Sequence, residues 1–170
     1  VPTKILIVRF SSIGDIVLTT PVLRQLKQQL DGETEIHYLT KASFAPIVES
    51  IPYVHKVWHF EDNLDALIEE LKKEEFDYLI DLHKNFRSSK VKNHLKLLTF
   101  SFDKLNWEKW LLVNFGINKM PDIHIVDRYL SSAKSFDLND DGKGLDYFIP
   151  PHEEIEIGAL HSELKKGYLV

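Results

Sequence analysis

Cysteine is absent from the 170 residues, so there is no disulfide framework and no thiolate chemistry. Long hydrophobic runs are absent too. The first apolar stretch, Ile5 to Val8, stops at Arg9, and no other run approaches the roughly 20 apolar residues that span a bilayer. The opening residues do not read as a signal peptide. The expectation is a soluble, cytoplasmic protein, at most peripheral to a membrane. Positive charge is not in excess: 21 Lys and Arg stand against 26 Asp and Glu, which argues against a nucleic-acid partner. Neither G-x-G-x-x-G nor G-x-x-x-x-G-K-[ST] occurs, so a dinucleotide fingerprint and a P-loop are excluded. HExxH and EF-hand patterns are missing, and the 8 His lack ligand spacing, so no metal site is expected. His37 and His59 fall in strand patterns and read as structural.

What remains is an ordinary globular composition, 44% hydrophobic and 28% charged, enough for one domain with a proper core. Strand-like runs recur at residues 4–9, 35–39, 56–60, 76–81 and 95–100, a βαβ spacing. Between them lie helical patterns. Ile13, Ile16, Val17, Leu23, Leu26 and Leu30 share one face, with a kink or restart at Pro21 and a stop near Gly32. Leu64, Leu67, Ile68 and Leu71 mark a second helix capped by Asp62 or Asn63. Leu105, Leu111, Leu112 and Phe115 suggest a third, and Ile125 to Phe136 a fourth after Pro121-Asp122. This alternation predicts an α/β, Rossmann-like, doubly wound and mostly parallel sheet, with ligands at the strand C-terminal edge.

After Phe136 the texture changes. Asp137 to Gly144 is rich in Asp and Gly, and Pro150-Pro151 cannot lie inside a helix. Residues 1–136 therefore read as the domain and 137–170 as a linker. The chain closes on Gly167-Tyr-Leu-Val170, either a terminal edge strand or the opening of a second domain.

The most informative segment is Arg9-Phe-Ser-Ser-Ile-Gly-Asp-Ile-Val-Leu-Thr-Thr-Pro21, which runs from the first strand into the first helix. Ser11, Ser12, Gly14 and Asp15 thus stand at the ligand edge. Gly14 allows a tight turn or close approach of a ligand, and Ser11 or Ser12 can cap the helix. Asp15 has two readings. An Asp in a first helical turn is favoured by the macrodipole and needs no function. A carboxylate at a cleft mouth can also take a proton from a hydroxyl.

Lys4 to Arg24, including Ser-Ser-Ile-Gly-Asp15 and a helix containing Pro21, resembles the opening of the ADP-heptose:lipopolysaccharide heptosyltransferases, glycosyltransferase family 9. The resemblance extends to Asp81-Leu-His-Lys-Asn-Phe-Arg-Ser88 and His124-Ile-Val-Asp-Arg-Tyr129, and spans roughly residues 4–136. It implies the N-terminal, acceptor-binding half of a two-domain GT-B enzyme, with Asp15 as catalytic base and inversion at the anomeric carbon. It implies a lipopolysaccharide precursor of the Kdo-lipid A type as acceptor. No cofactor is implied beyond a nucleotide-sugar donor, ADP-heptose, held by a C-terminal domain that would begin within 137–170. A chain lacking that domain is expected to be inactive alone. A non-catalytic module binding an anionic sugar or phosphorylated ligand, and a family 9 enzyme with another donor sugar, stay open as alternatives.

Lys84, Asn85, Arg87 and Ser88 follow the fourth strand, with Lys90 and Lys92 beyond. They form a basic loop in an acidic chain, suited to phosphate or carboxylate, or merely a solvated surface. Of these, Lys84, Asn85 and Arg87 join Ser11, Ser12 and Gly14 as candidate acceptor contacts. Lys41, after the second strand, is a weaker candidate, and Arg128 reads as an ion-pair partner. Trp107 falls off the apolar face of its helix beside Lys104 and Lys109, which suits either a membrane interface or ordinary flank packing.

Overall fold

A computed structural model describes residues 1–150 and 153–154; the C-terminal segment expected to open a second domain lies outside the described residues. Five parallel strands, β1 (Thr3–Val8), β2 (Thr34–Lys41), β3 (Lys56–Phe60), β4 (Tyr78–Asp81) and β5 (Leu98–Ser101), pair in the order β3-β2-β1-β4-β5. β1 is the centre. Its Ile5, Leu6, Ile7 and Val8 are all fully buried, as a continuous apolar run in a doubly covered parallel sheet must be. Alternation sorts them between two cores. Ile5 and Ile7 join Ile36, Tyr38 and Ile80 on one face; Leu6 and Val8 join Leu39, Trp58 and Leu79 on the other.

Helices cover both faces. α1 (Ile13–Val17) and α2 (Thr20–Gln29) are two helices, with Pro21 in the first turn of the second. There its missing N–H costs nothing, which is the predicted restart. α2 ends before the turn that contains Gly32, whose φ is +84°. α3 (Ala45–Glu49) is short and was not foreseen. α4 (Leu64–Lys72) is capped by Asn63, whose side chain accepts from the Ala66 N–H at 3.1 Å. α5 (Phe86–Leu95) was also unforeseen. It consumes Leu95, so β5 begins at Leu98 rather than at residue 95. The helix is polar along most of its length and buries only Ser88 and Val91, too weak a stripe to reveal a helical period. α6 (Asn106–Phe115) and α7 (Ile125–Ser131) follow, the latter continuing into a 3-10 turn over Lys134–Phe136. None of the described helices is long and apolar enough to cross a membrane.

The segment with the composition of a linker is fastened to α2. Arg24, 2% exposed, donates Nε to Asp141 Oδ2 at 2.7 Å, Nη2 to Asp141 Oδ1 at 2.8 Å and to the Gly144 carbonyl at 3.0 Å, and Nη1 to Asp146. The Asp146 N–H returns to Thr20 Oγ1 at 2.9 Å. Hydrogen bonding from Arg24 holds the Asp141 carboxyl down at about 2. A buried guanidinium with two carboxylates is a costly group to strip of one side. Arg24→Met should therefore lower stability by about 2–4 kcal/mol in urea unfolding, and amide exchange over residues 141–146 should accelerate more than exchange in β1. Unchanged exchange there would contradict the clasp.

Candidate functional site

In the order β3-β2-β1-β4-β5 the connections run outward in opposite directions from β1 and β4. The loops after these two strands therefore diverge and leave a crevice, the usual ligand position in such sheets. Residues Phe10 to Ser12 lie on one side and Leu82 to Asn85 on the other. A cleft of about 390 Å³ between them is lined by Phe10, Ser11, Lys41, His83, Asn85, Phe86 and Arg87.

The two loops are tied by Arg9, which is 8% exposed. Its Nε donates to the Ser11 carbonyl at 2.6 Å, and Nη1 donates to the Leu82 carbonyl at 2.7 Å and to Tyr129 Oη at 3.1 Å. Nη2 meets Asp15 Oδ2 at 2.5 Å. Oδ2 also accepts from the Ser12 N–H at 3.2 Å and the Ser12 hydroxyl at 3.0 Å. Ser12 and Asp15 thus form a capping box on α1. Both readings of Asp15 meet here: it closes the helix, and its side chain is 37% exposed at the crevice. Partial burial opposes its charge, but the Ser12 backbone bond, the Arg9 charge and the Ser12 hydroxyl outweigh it and hold the carboxyl below its ordinary value. Gly14 lies within α1 rather than in a turn, and a Cβ there would meet nothing within 4 Å. The tight-turn role is thus not used, while open space above the backbone remains.

Across the crevice, Asp81 organises the second loop. It is 2% exposed; Oδ1 accepts from the N–H groups of His83 at 3.0 Å and Lys84 at 2.7 Å, and Oδ2 accepts from Ser88 Oγ at 2.7 Å. Asn85 caps α5, its Oδ1 accepting from the Ser88 N–H at 2.9 Å, so its carbonyl is occupied, while its side chain lines the cleft and its amide nitrogen has no partner among the described residues. Lys84 Nζ donates to the Phe102 carbonyl at 2.9 Å, which pins its ammonium toward β5. Arg87 is exposed at the cleft lip, and Lys41 lines the cleft from β2. Lys90 pairs instead with Asp65 of α4 at 2.5 Å. Arg128 donates to the Asp103 carbonyl, Nε at 3.0 Å, so its partner is backbone and not the carboxylate expected.

Sequence reasoning placed Ser11, Ser12, Gly14, Asp15, Lys84, Asn85 and Arg87 at one sheet edge, and the structure brings them there. It missed Arg9, Asp81, His83 and Tyr129 as parts of the site. A charged residue directly after a buried apolar strand was the available signal for Arg9, and Asp81 ends β4 in the same way.

Among the described residues, Glu35, His37 and His55 form one group with ligand atoms within 4.8 Å of each other. Trp58 Nε1–H donates to His37 Nδ1 at 3.0 Å, so the His37 proton sits on Nε2, 3.6 Å from Glu35 Oε2. A metal on Nε2 would require that proton to leave while Nδ1 is already engaged. The trio is a close packing arrangement in which His37 Nε2 has no hydrogen-bond partner among the described residues, in line with the structural role expected for His37. His59 is exposed on β3 and belongs to no such group among the described residues.

No family model matches the chain. Among curated proteins it is 28% identical over 145 residues to lipopolysaccharide heptosyltransferase 1 of Campylobacter coli, covering 80% of this chain and 42% of that protein. It is 24% identical to the lipopolysaccharide core heptosyltransferase OpsX of Haemophilus influenzae, covering 99% of this chain and 54% of that protein. The chain is similar in sequence to lipopolysaccharide heptosyltransferases. Solved structures share its fold. A family 9 glycosyl transferase from Veillonella parvula superposes with a TM-score of 0.66 at 20% identity, over 88% of this chain and 46% of that one. The heptosyltransferase WaaC of E. coli, solved with ADP-2-deoxy-2-fluoro heptose, gives 0.66 at 21%, over 85% and 52%. The chain spans about half the length of the curated relatives it matches.

Proposed function

We propose that this heptosyltransferase relative forms the acceptor side of an inverting glycosyltransferase that moves heptose from ADP-heptose to a hydroxyl of the lipopolysaccharide inner core. The observation that carries this is a carboxylate held ionised beside the switch-point crevice, one oxygen locked by Arg9 and Ser12 and the side chain 37% exposed next to Ser11 and Ser12, although Asp15 itself is not among the residues that line the 390 Å³ cleft. Its contacts among the described residues all use Oδ2, which leaves Oδ1 to meet the acceptor hydroxyl. In the displacement the acceptor oxygen bonds to the anomeric carbon, the bond to the ADP oxygen breaks with its electron pair, and the hydroxyl proton passes to Asp15. A carboxyl held below its ordinary value is a weak base, so the proton moves late. It leaves as the sugar becomes oxocarbenium-like and the attacking hydroxyl becomes acidic.

The cleft's cations suit an anionic acceptor sugar of the Kdo type. Arg87 and Lys41 line it, and Lys84 lies at its β5 side. Ser11 and the free amide of Asn85 are placed to orient hydroxyls. The donor nucleotide sugar belongs to a second domain, so this chain alone would not transfer. The named curated relatives are transferases, which disfavours a binding-only module.

A lipid-linked acceptor requires the enzyme to reach a bilayer, and α6 supplies a surface for it. The helix has no buried residue; Trp107 is 66% exposed, Phe115 62% and Val113 81%. Trp107 and Trp110 stack at 5.0 Å, which arranges an aromatic platform with Lys104 and Lys109 beside it. Core packing is therefore not the role of this helix, and contact with the inner-membrane surface fits its composition. Phe102, whose carbonyl holds Lys84, precedes α6 by four residues.

Asp15→Asn in the full-length polypeptide should reduce heptose transfer by about 100-fold or more, measured on protein shown to be folded by circular dichroism, and should also lower the thermal unfolding midpoint because buried Arg9 loses its counter-charge. Activity near the wild-type level would remove Asp15 from the reaction. In vesicle sedimentation with lipids that carry a lipopolysaccharide precursor, the double variant W107A/W110A should lose most of its bound fraction. Equal binding would exclude α6 as the contact.

A further inference from the structure

His83 is the cleft side chain with no partner to explain it. It stands two residues beyond the end of β4, and its N–H is fixed by Asp81 at 3.0 Å. The ring packs against Phe10 with centroids 4.9 Å apart. Nδ1 is buried with no hydrogen-bond partner, yet the residue is only partly buried and lines the cleft with Ser11, Lys41, Asn85 and Arg87. With Nδ1 sealed, Nε2 is the polar edge left to the cleft. A neutral imidazole carries one proton. Placing it on Nε2 avoids a buried donor without an acceptor, the costlier arrangement.

We propose that His83 is a specificity-determining residue of the acceptor cleft, its Nε2–H donating a hydrogen bond to an uncharged oxygen of the acceptor sugar. This rests on the acceptor-cleft reading given above. Burial first, then the charges of Arg9 and Lys104, push the imidazole down to about 4, against the opposing pull of Asp81 and Asp15. The ring is therefore neutral near pH 7. A cationic ring would compete with Arg87 and Lys41 for the sugar's carboxylate. A neutral donor leaves the carboxylate to those cations and reads a hydroxyl or ring oxygen instead, which fixes which way round the sugar lies.

The test uses this chain with 15N-labelled histidine and free Kdo as the probe. At pH 7 the His83 ring should show the Nε2–H tautomer, and Kdo should shift the His83 ring together with the amides of Ser11, Asn85 and Arg87. His83→Phe keeps a ring against Phe10 but removes the donor, and should weaken Kdo binding about 10-fold. His83→Gln places an amide N–H near the position of Nε2, and should recover binding to within about 3-fold of wild type. If Kdo shifts Ser11, Asn85 and Arg87 but binds His83→Phe as well as wild type, the role of His83 is overturned while the acceptor cleft stands. No shift at any of those amides in wild type overturns both. If His83→Phe does not fold, the wild-type tautomer decides, and a proton on Nδ1 overturns the proposal.

Discussion

A buried guanidinium sets the terms for this site. Arg9 leaves the centre of the sheet at the point where the chain must turn out of β1, and burial there is tolerable only if its donors are satisfied and its charge is met. Three protein oxygens and one carboxylate do this: Ser11, Leu82, Tyr129 and Asp15. Those four partners come from the loop after β1, the loop after β4, α7 and α1. One side chain therefore fixes the width of the crevice, the pose of α7 over the core and the direction of the Asp15 carboxylate. Arginine suits the position because its planar fork serves several acceptors at once and stays charged at every relevant pH. Lysine would bring a single ammonium on a flexible stem.

The same pairing explains how one Asp can hold the structure and still be a candidate base. Oδ2 gives Arg9 its counter-charge and closes the α1 capping box through Ser12. These contacts are what keep the carboxyl ionised, and they leave the other oxygen available. On the far side of the crevice Asp81 plays a comparable part, but it is buried and spent on the loop: its oxygens hold the His83 and Lys84 backbone and the Ser88 hydroxyl. Two acids flank neighbouring loops, Asp81 at the end of β4 and Asp15 in α1, and only the one left partly open is a candidate for proton transfer. Basic side chains and a neutral imidazole line the opening, so anionic and uncharged parts of a bound ligand would meet different groups.

Much of the fold was legible because it rests on local patterns. The Ile5–Val8 run told of a central parallel strand, Pro21 marked where α1 gives way to α2, and Asn63 announced α4. α5 escaped because its sequence is nearly all polar, and its start depends on a cap that only the Asp81 loop makes sense of. The segment 137–150 has the composition of a linker, yet Arg24 binds it through Asp141 and Asp146, more than a hundred residues away in sequence; no local rule reveals that pairing. In the site, position was readable and partnership was not. Asp15, Ser12, Asn85 and Arg87 could be assigned to the sheet edge from strand ends alone. That Asn85 spends its carbonyl on a helix cap, that Lys84 leans toward Phe102 and that Arg9 joins the two loops are all tertiary facts.

The chain matches about half the length of the heptosyltransferases, and the proposed acceptor face and base both fall within that half. The most direct test of the account is the titration of the Asp15 carboxyl, followed by 13C NMR in the intact chain. An Arg9-paired, Ser12-bonded carboxylate titrates below its ordinary value of 3.8. A midpoint at or above that value would show that the ion pair does not govern the crevice, and would contradict the account at its root.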